Sequence, residues 1–407
     1  MITTYAYIKW FIPQVRELIP AAKIIVGGGV ATWNPEFALR RLGADAVIAG
    51  EGEYAFLELL HRGLDNLGEE PLPGAGWLNR SGQFVFQPRP LIRDLDELPL
   101  PAWDLFPMRT YIDNTAIQRG KLNLKGGAVV FSGRGCPMNC TFCYHIFGRG
   151  VRMQGIEPVL DEIELLKKQY QINFISFLDE CFVFDRGRAL EFCRRYRERS
   201  IGLPFKLSGR LDMIDEELAC ALKEAGCFLY NVGIESGSPK ILKNMRKQIT
   251  PEKMLESLQM LKRVGLDCAP TFIHGMVGEN ARTVKETIDF CKQAGISNVS
   301  PFFLQAYPGA PIWTEEVERR VLDKFGNLES YLMALGDASA FLVNFSEVSD
   351  KKLVALREKI KRQTRGQTWL GWRLAWLKRQ LKNLRTEGLS YLRQRLDRGR
   401  PTEDHHP

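Results

Sequence analysis

The sequence predicts an α/β protein built on a partial (β/α)6 barrel, preceded by a smaller α/β layer and followed by helices and a basic tail. Three observations carry this reading. Six short apolar stretches, at 128–132, 174–178, 205–208, 229–234, 268–274 and 299–304, alternate with helical patterns, and right-handed strand–helix units of this length wind a parallel sheet around on itself. Upstream, two apolar stretches ending in glycines flank a helical segment, the pattern of an open α/β layer. Finally, 407 residues with 45% hydrophobic and 26% charged content hold enough apolar material for two to three domains of about 150 residues each.

The elements follow in chain order. Helices are expected at 8–18, 35–42 and 54–61, strands at 23–26 and 46–49, and a third strand at 2–7. Such a small sheet leaves its edges unprotected, so it should pack on another domain or form part of a larger one. From about 63 to 125 the chain is rich in Pro and Gly, has a hairpin-like piece at 78–83, and should run extended around Pro99 and Pro101. The expected divisions are 1–65 for the first α/β unit, 66–125 for a linker, 126–312 for the barrel, 313–363 for a helical region and 364–407 for the tail.

Charge sharpens the last boundary. Of the net +8, the segment from Lys351 onward holds sixteen Lys and Arg against five Asp and Glu. There Trp369, Trp372 and Trp376 recur at helical spacing with basic residues between them. That pattern suits a helix lying on an anionic membrane, and equally a helix packed on the barrel with a solvated basic face. No stretch approaches the roughly 20 apolar residues of a membrane span, and no secretion pattern opens the chain. A cytoplasmic protein is expected, with membrane association through the tail as an added expectation.

Nine cysteines, without a secretion pattern, favour metal or redox chemistry over a disulfide framework. Three of them, Cys136, Cys140 and Cys143, form C-x3-C-x2-C in a glycine-punctuated loop after the first barrel strand. Three thiolates on one tight loop suit three corners of a four-iron cluster and leave the fourth iron open to a substrate. A zinc site completed by His145 is the alternative.

With these cysteines, later strand-end motifs resemble the radical S-adenosylmethionine (SAM) superfamily over about 126–311. The resemblance implies a TIM-like partial barrel, a [4Fe-4S] cluster on Cys136, Cys140 and Cys143, and SAM chelated to the open iron. It also assigns cofactor contacts. Phe142 matches the position beside the adenine. Asp179 and Glu180 match the segment that meets the SAM amino group, and Arg210 the arginine near its carboxylate. Glu235 and Ser236 match the ribose and methionyl contacts, and Gly275 the adenine-lining turn. Bland roles stand beside these: a helix cap for Asp179 or Glu180, an ion pair with Asp212 or Glu235 for Arg210, a simple turn for Gly275. His274, just beyond a barrel strand, and Tyr144 are the catalytic candidates.

Gly27, Gly28, Gly50 and Glu51 resemble the later half of a Rossmann-like cobalamin-binding domain, which precedes the barrel in one radical SAM class; the segment 94–101 is also similar to that class. Cobalamin is therefore a further expected cofactor. The earlier strands and the Asp-x-His-x-x-Gly loop of that domain are missing, so it is expected to be truncated. The resemblance implies C-methylation or oxidative cyclisation of a small molecule, with a reductase such as flavodoxin or ferredoxin as electron donor. A tRNA methylthiotransferase would want three more cysteines upstream, and residues 1–135 contain none. A nucleic-acid partner is not expected. A non-catalytic cluster- or SAM-binding paralogue is the remaining alternative.

Overall fold

The computed structural model describes residues 2–119 and 122–365. The expected basic amphipathic tail lies outside the described residues, apart from Thr364 and Arg365. Among the described residues no helix is long and apolar enough to cross a membrane.

The first layer has four strands. β1 (Ile25–Val26) and β2 (Ala46–Ile48) run parallel, and β3 (Ala75–Leu78) and β4 (Phe84–Phe86) add an antiparallel hairpin to the β2 edge. The hairpin comes from within the expected linker. Its turn is folded by Asn79, whose side-chain oxygen accepts from the Ser81 and Gln83 amides, while Trp77 is fully buried beneath it. Thus β2 has no open edge. The strand expected at 2–7 is instead a short 3-10 turn leading into the helix Tyr5–Leu18. Tyr5 and Ile12 lie two helical turns apart and share the buried face, so helical periodicity outweighs local β-propensity there.

A short hairpin, β5 (Ala116–Arg119) and β6 (Leu122–Lys125), leads into the half barrel. Its first strand is β7 (Gly127–Val130). A two-residue ladder, β8 (Gly133–Arg134) with β9 (Arg152–Met153), then brackets the cysteine loop. The remaining barrel strands are β10 (Phe174–Phe177), β11 (Phe205–Gly209), β12 (Cys227–Glu235), β13 (Cys268–His274) and β14 (Phe302–Phe303). Their order is β14-β13-β12-β11-β10-β7, every pair parallel, which gives the curled six-stranded half barrel expected from the sequence.

Period-two alternation assigns the faces. Val130, Phe177, Phe205, Leu207, Tyr230 and Val232 point into the helix-covered core, where the Phe177 ring meets Phe192 edge-on at 5.5 Å and Phe205 at 5.7 Å. Each such ring contributes about 1.5–3 kcal/mol by burial. The concave face carries Val129, Ser176, Lys206, Ser208, Asn231 and Thr271. Side-chain caps start the surrounding helices: Asp185, Asp215, Thr250 and Asn280 each accept from an amide of the first turn. The helix Asp350–Gln363 returns to the barrel through Leu356 and Ile360.

Several contacts join the first layer to the rest, two of them extensive. A shared core unites Tyr5, Val30 and Leu39 with Leu304, Val317 and Tyr331. The second is an ion cluster on Glu51, which is 6% exposed and accepts from Arg134 at 2.7 Å, Arg152 at 2.7 Å and the Ile92 amide at 2.7 Å. Burial opposes the charge, but these partners hold the Glu51 carboxyl below its ordinary range. Because Arg134 and Arg152 belong to β8 and β9, Glu51 grips the base of the cysteine loop.

Two outcomes are expected. In Glu51→Gln the arginines lose a buried counter-charge, and unfolding at pH 7 should become easier by about 3 kcal/mol. A depressed carboxyl stabilises above its unfolded pKa and loses that contribution as pH falls through its folded value. The gap between wild type and Glu51→Gln in urea midpoint should therefore narrow as pH falls below the ordinary carboxylate range. Gly237→Ala should destabilise by about 1–3 kcal/mol in the same assay, since the new Cβ would sit 2.4 Å from Phe290 Cβ and 2.9 Å from the Thr287 backbone.

Candidate active site

The C-terminal ends of the barrel strands converge on the loop between β8 and β9. The loop is positioned by its backbone: the Thr141 amide donates to the Met245 carbonyl at 2.9 Å, and the Ile312 amide donates to the Thr141 carbonyl at 2.8 Å. Its two limbs touch, since a Cβ on Gly135 would lie 2.2 Å from the Gly150 carbonyl oxygen, and Gly135 has φ +87°. Cys140 is buried, while Cys136 and Cys143 are half-buried; all three are free thiols.

Electrostatics divide the three thiols, favouring thiolate at Cys140 alone. Cys140 is pulled to about 6, first by a hydrogen bond from the Cys143 thiol and then, against burial, by the charges of Lys247 and Arg210. Cys143 moves up, since it holds the shared proton and is buried. Burial pushes Cys136 up, opposed by the Met138 amide.

Among the described residues no three His, Cys, Asp or Glu side chains converge as a site for one metal ion. The His145 Nε2 that would complete a zinc site is buried without a partner. Asn139 Oδ1, between two of the cysteines, is likewise buried and unpaired. A donor set of three thiols on one loop, with unpaired buried polar atoms among them, fits a multi-iron cluster.

The expected SAM contacts divide into those that face this loop and those that brace it. Glu180 faces it: its carboxylate accepts from the Gly135 amide and acts on Cys136 through charge, and burial raises its pKa. Asp179 is 4% exposed and turned back, accepting from the Ser132 amide at 2.8 Å and hydroxyl at 3.2 Å. Burial lifts its carboxyl to about 6. Neither residue caps the next helix; Asp185 does, accepting from the Arg188 amide at 2.9 Å.

Arg210 forks onto Asp212 at 2.9 and 2.7 Å and donates to the Lys247 carbonyl at 2.8 Å, so the ion-pair role is realised. Glu235 ends β12 at a bulge with φ +65°. It is almost fully buried, which raises its pKa, and Lys247 Nζ lies 3.3 Å away. With Phe142, Thr271, Ile273, Phe302 and Tyr307 it lines a cavity of about 250 Å³. Ser236 lies behind, its hydroxyl 3.1 Å from that of Thr287. Gly275 turns with φ +93°, its amide donating to Glu279.

Both catalytic candidates are placed differently from expectation. His274 is 0% exposed, with Nδ1 2.9 Å from Glu279 and Nε2 2.9 Å from the Leu353 carbonyl. Both ring nitrogens are occupied, and the residue ties β13 to the C-terminal helix. The Tyr144 hydroxyl donates to the Gly29 carbonyl at 3.2 Å, and burial pushes the phenol to about 12. It links the cysteine loop to the first layer.

In that layer Gly28 and Gly50 have φ +88° and +80°, and a Cβ on either meets nothing within 4 Å. Gly27 lies beside Ile48. These backbones offer an open shelf for a flat ring but no metal ligand, and the Glu51 carboxylate is spent on the arginines.

Sequence reasoning missed Lys247. Its ammonium lies beside Glu235 and 5.9 Å from the Phe142 ring centroid, on a loop where Arg246 and Gln248 have φ +52° and +56°. A lone lysine after a helix carries no periodic signal. Only the left-handed residues around it turn it inward.

The chain is similar to known proteins in sequence and in fold. Residues 130–291 match the Radical SAM superfamily, which uses a [4Fe-4S] cluster and SAM. An uncharacterized methyltransferase of Pyrococcus horikoshii is 33% identical over 305 residues, covering 74% of this chain and 64% of the relative. The anaerobic magnesium-protoporphyrin IX monomethyl ester cyclase of Rubrivivax gelatinosus is 29% identical over 280 residues, 67% of this chain and 49% of the cyclase. The radical SAM methyltransferase TsrM of Kitasatospora setae, solved with cobalamin and a [4Fe-4S] cluster, shares the fold with TM-score 0.62 at 20% identity, over 78% of this chain and 61% of that one. The chain thus spans less than two thirds of the length of these proteins. Its residues 130–291, with the cysteine loop at their head, belong to the Radical SAM superfamily.

Proposed function

We propose that this chain is an enzyme that uses a [4Fe-4S] cluster and SAM to act on an unactivated carbon of a small molecule, by C-methylation or oxidative cyclisation. The observation that carries the reading is the Cys136, Cys140 and Cys143 loop, clamped at the half-barrel rim among Glu180, Glu235 and Lys247. Once bound there, the cluster and SAM supply reductive cleavage of a carbon–sulfonium bond.

The protein's own part is binding, orientation and exclusion of water. The three thiolates hold the cluster. Glu180 would accept hydrogen bonds from an ammonium next to it, and Lys247, paired with Glu235, keeps further N–H donors for a carboxylate. Arg210 acts one step back, holding the Lys247 carbonyl and hence the loop. Phe142 would offer its ring to the cofactor in the cavity that it lines with Glu235. Gly27, Gly28 and Gly50 would hold a cobalamin, which would supply methyl-transfer chemistry, and Tyr144, bonded to the Gly29 carbonyl, would act as a positioning residue. A low-potential donor such as flavodoxin or ferredoxin supplies the electron.

Anaerobic reconstitution with iron and sulfide, followed by dithionite and SAM, tests the reading. Wild type should develop cluster absorption and release 5′-deoxyadenosine, or S-adenosylhomocysteine when cobalamin is added. Cys136→Ala, Cys140→Ala and Cys143→Ala should each abolish both signals. Full turnover in any one of them would overturn the assignment. Lys247→Ala should keep the cluster and raise the KM for SAM by about tenfold to a hundredfold, with partial rescue in Lys247→Arg.

A further inference from the structure

The concave face of the half barrel carries a cation that the proposed chemistry leaves unused. Lys206 lies on β11 between Phe205 and Leu207, both 0% exposed in the helix-covered core, so alternation turns it to the concave side. Its register partner on β10 is Ser176. Ser208, the next residue on the same face, is paired with Asn231 of β12. Beneath them the trough is floored by Phe174, fully buried and edge-on to Phe228 at 6.1 Å.

Among the described residues the Lys206 ammonium has no hydrogen-bond or ion-pair partner, and the side chains of Ser208 and Asn231 have none either. Other enclosed cations of the barrel are matched: Arg188 donates to the Ser132 and Gln154 carbonyls, Arg210 to Asp212 and Lys247 to Glu235. Burial alone depresses the lysine, with no acidic group acting on it. A half-buried ammonium in mid-sheet without a counter-charge is costly. A hydroxyl and an amide on the same and adjacent strands give it two neighbours able to donate hydrogen bonds.

We propose that Lys206, Ser208 and Asn231 form a subsite for an oxyanion, a phosphate or carboxylate group borne by the substrate on the part remote from the reacting carbon. This rests on the reading that reaction occurs at the rim, where the cysteine loop lies. The rim is approached along β11 through Ser208 to Arg210, so a substrate anchored by its anionic end at Lys206 extends up the trough towards the loop. Charge-assisted hydrogen bonds would then fix its depth.

Competitive reductive methylation of the reconstituted full chain tests this, with trace isotopic formaldehyde and cyanoborohydride and the Lys206 peptide read by mass spectrometry. Inorganic phosphate or benzoate is the probe, and sodium chloride of equal ionic strength is the control. Lys206 should label about tenfold more slowly with phosphate, with benzoate, or with both, and the more effective probe identifies the group. Equal labelling in phosphate, benzoate and chloride would overturn the subsite, because screening alone would then explain any change. In Asn231→Ala, where Lys206 can still be labelled, protection should need about tenfold more probe. Protection at the wild-type concentration would overturn the three-residue arrangement. Iron content and SAM cleavage measured on the same wild-type preparation separate the two readings. A working cluster without protection refutes the subsite alone, and protection without a cluster refutes the proposed function alone.

Discussion

The site depends on one constraint: a loop carrying three thiols must keep its shape without help from those thiols. Backbone bonds meet it. Thr141, between Cys140 and Cys143, gives its amide to Met245 and its carbonyl to Ile312, so the loop is fastened to the fourth barrel unit and to the segment after β14. Side chains stay free for ligation. The loop at Met245 that receives the amide also turns Lys247 inward, and Arg210 holds the Lys247 carbonyl. Position and charge therefore come from one short stretch of chain.

The first layer is coupled to this loop at two points of different chemistry. Glu51 grips Arg134 and Arg152 at the base, and Tyr144 reaches Gly29 near the top. A buried carboxylate between two guanidiniums is a poor source of net stability but a strict specifier of geometry, since without Glu51 both arginines would lose a buried counter-charge. The hydrophobic core shared by Tyr5, Val317 and Tyr331 supplies the adhesion.

The fold was legible where periodicity is strong. Six apolar stretches gave six barrel strands, though β14 shrinks to Phe302–Phe303, the pair in register with Ile273 and His274. Periodicity failed at 2–7, where Tyr5 and Ile12 serve a helix, and at 75–86, where short strands hide among turn residues and become visible only once paired with β2. Within the site, the cysteine spacing was self-declaring because ligation restricts both residue type and separation. Roles set by distant partners were not. Glu51 stands in a Gly-Glu-Gly-Glu run that says nothing of Arg134 and Arg152, and His274 stands at a strand end that says nothing of Leu353. Lys247 had no signal at all.

An open sheet of six strands has two margins, β7 and β14, that a closed barrel would zip together. The Ile312-to-Thr141 bond spans that gap at the rim, joining the loop after β7 to the chain after β14. The trough is therefore hooped at its mouth. Along its flank the margins are met by segments outside the sheet, the Phe303 amide bonding to Ala338 and the Gly127 amide to Thr115. Differences in guest size among proteins of this architecture should thus be sought in what fills that seam rather than in the strands.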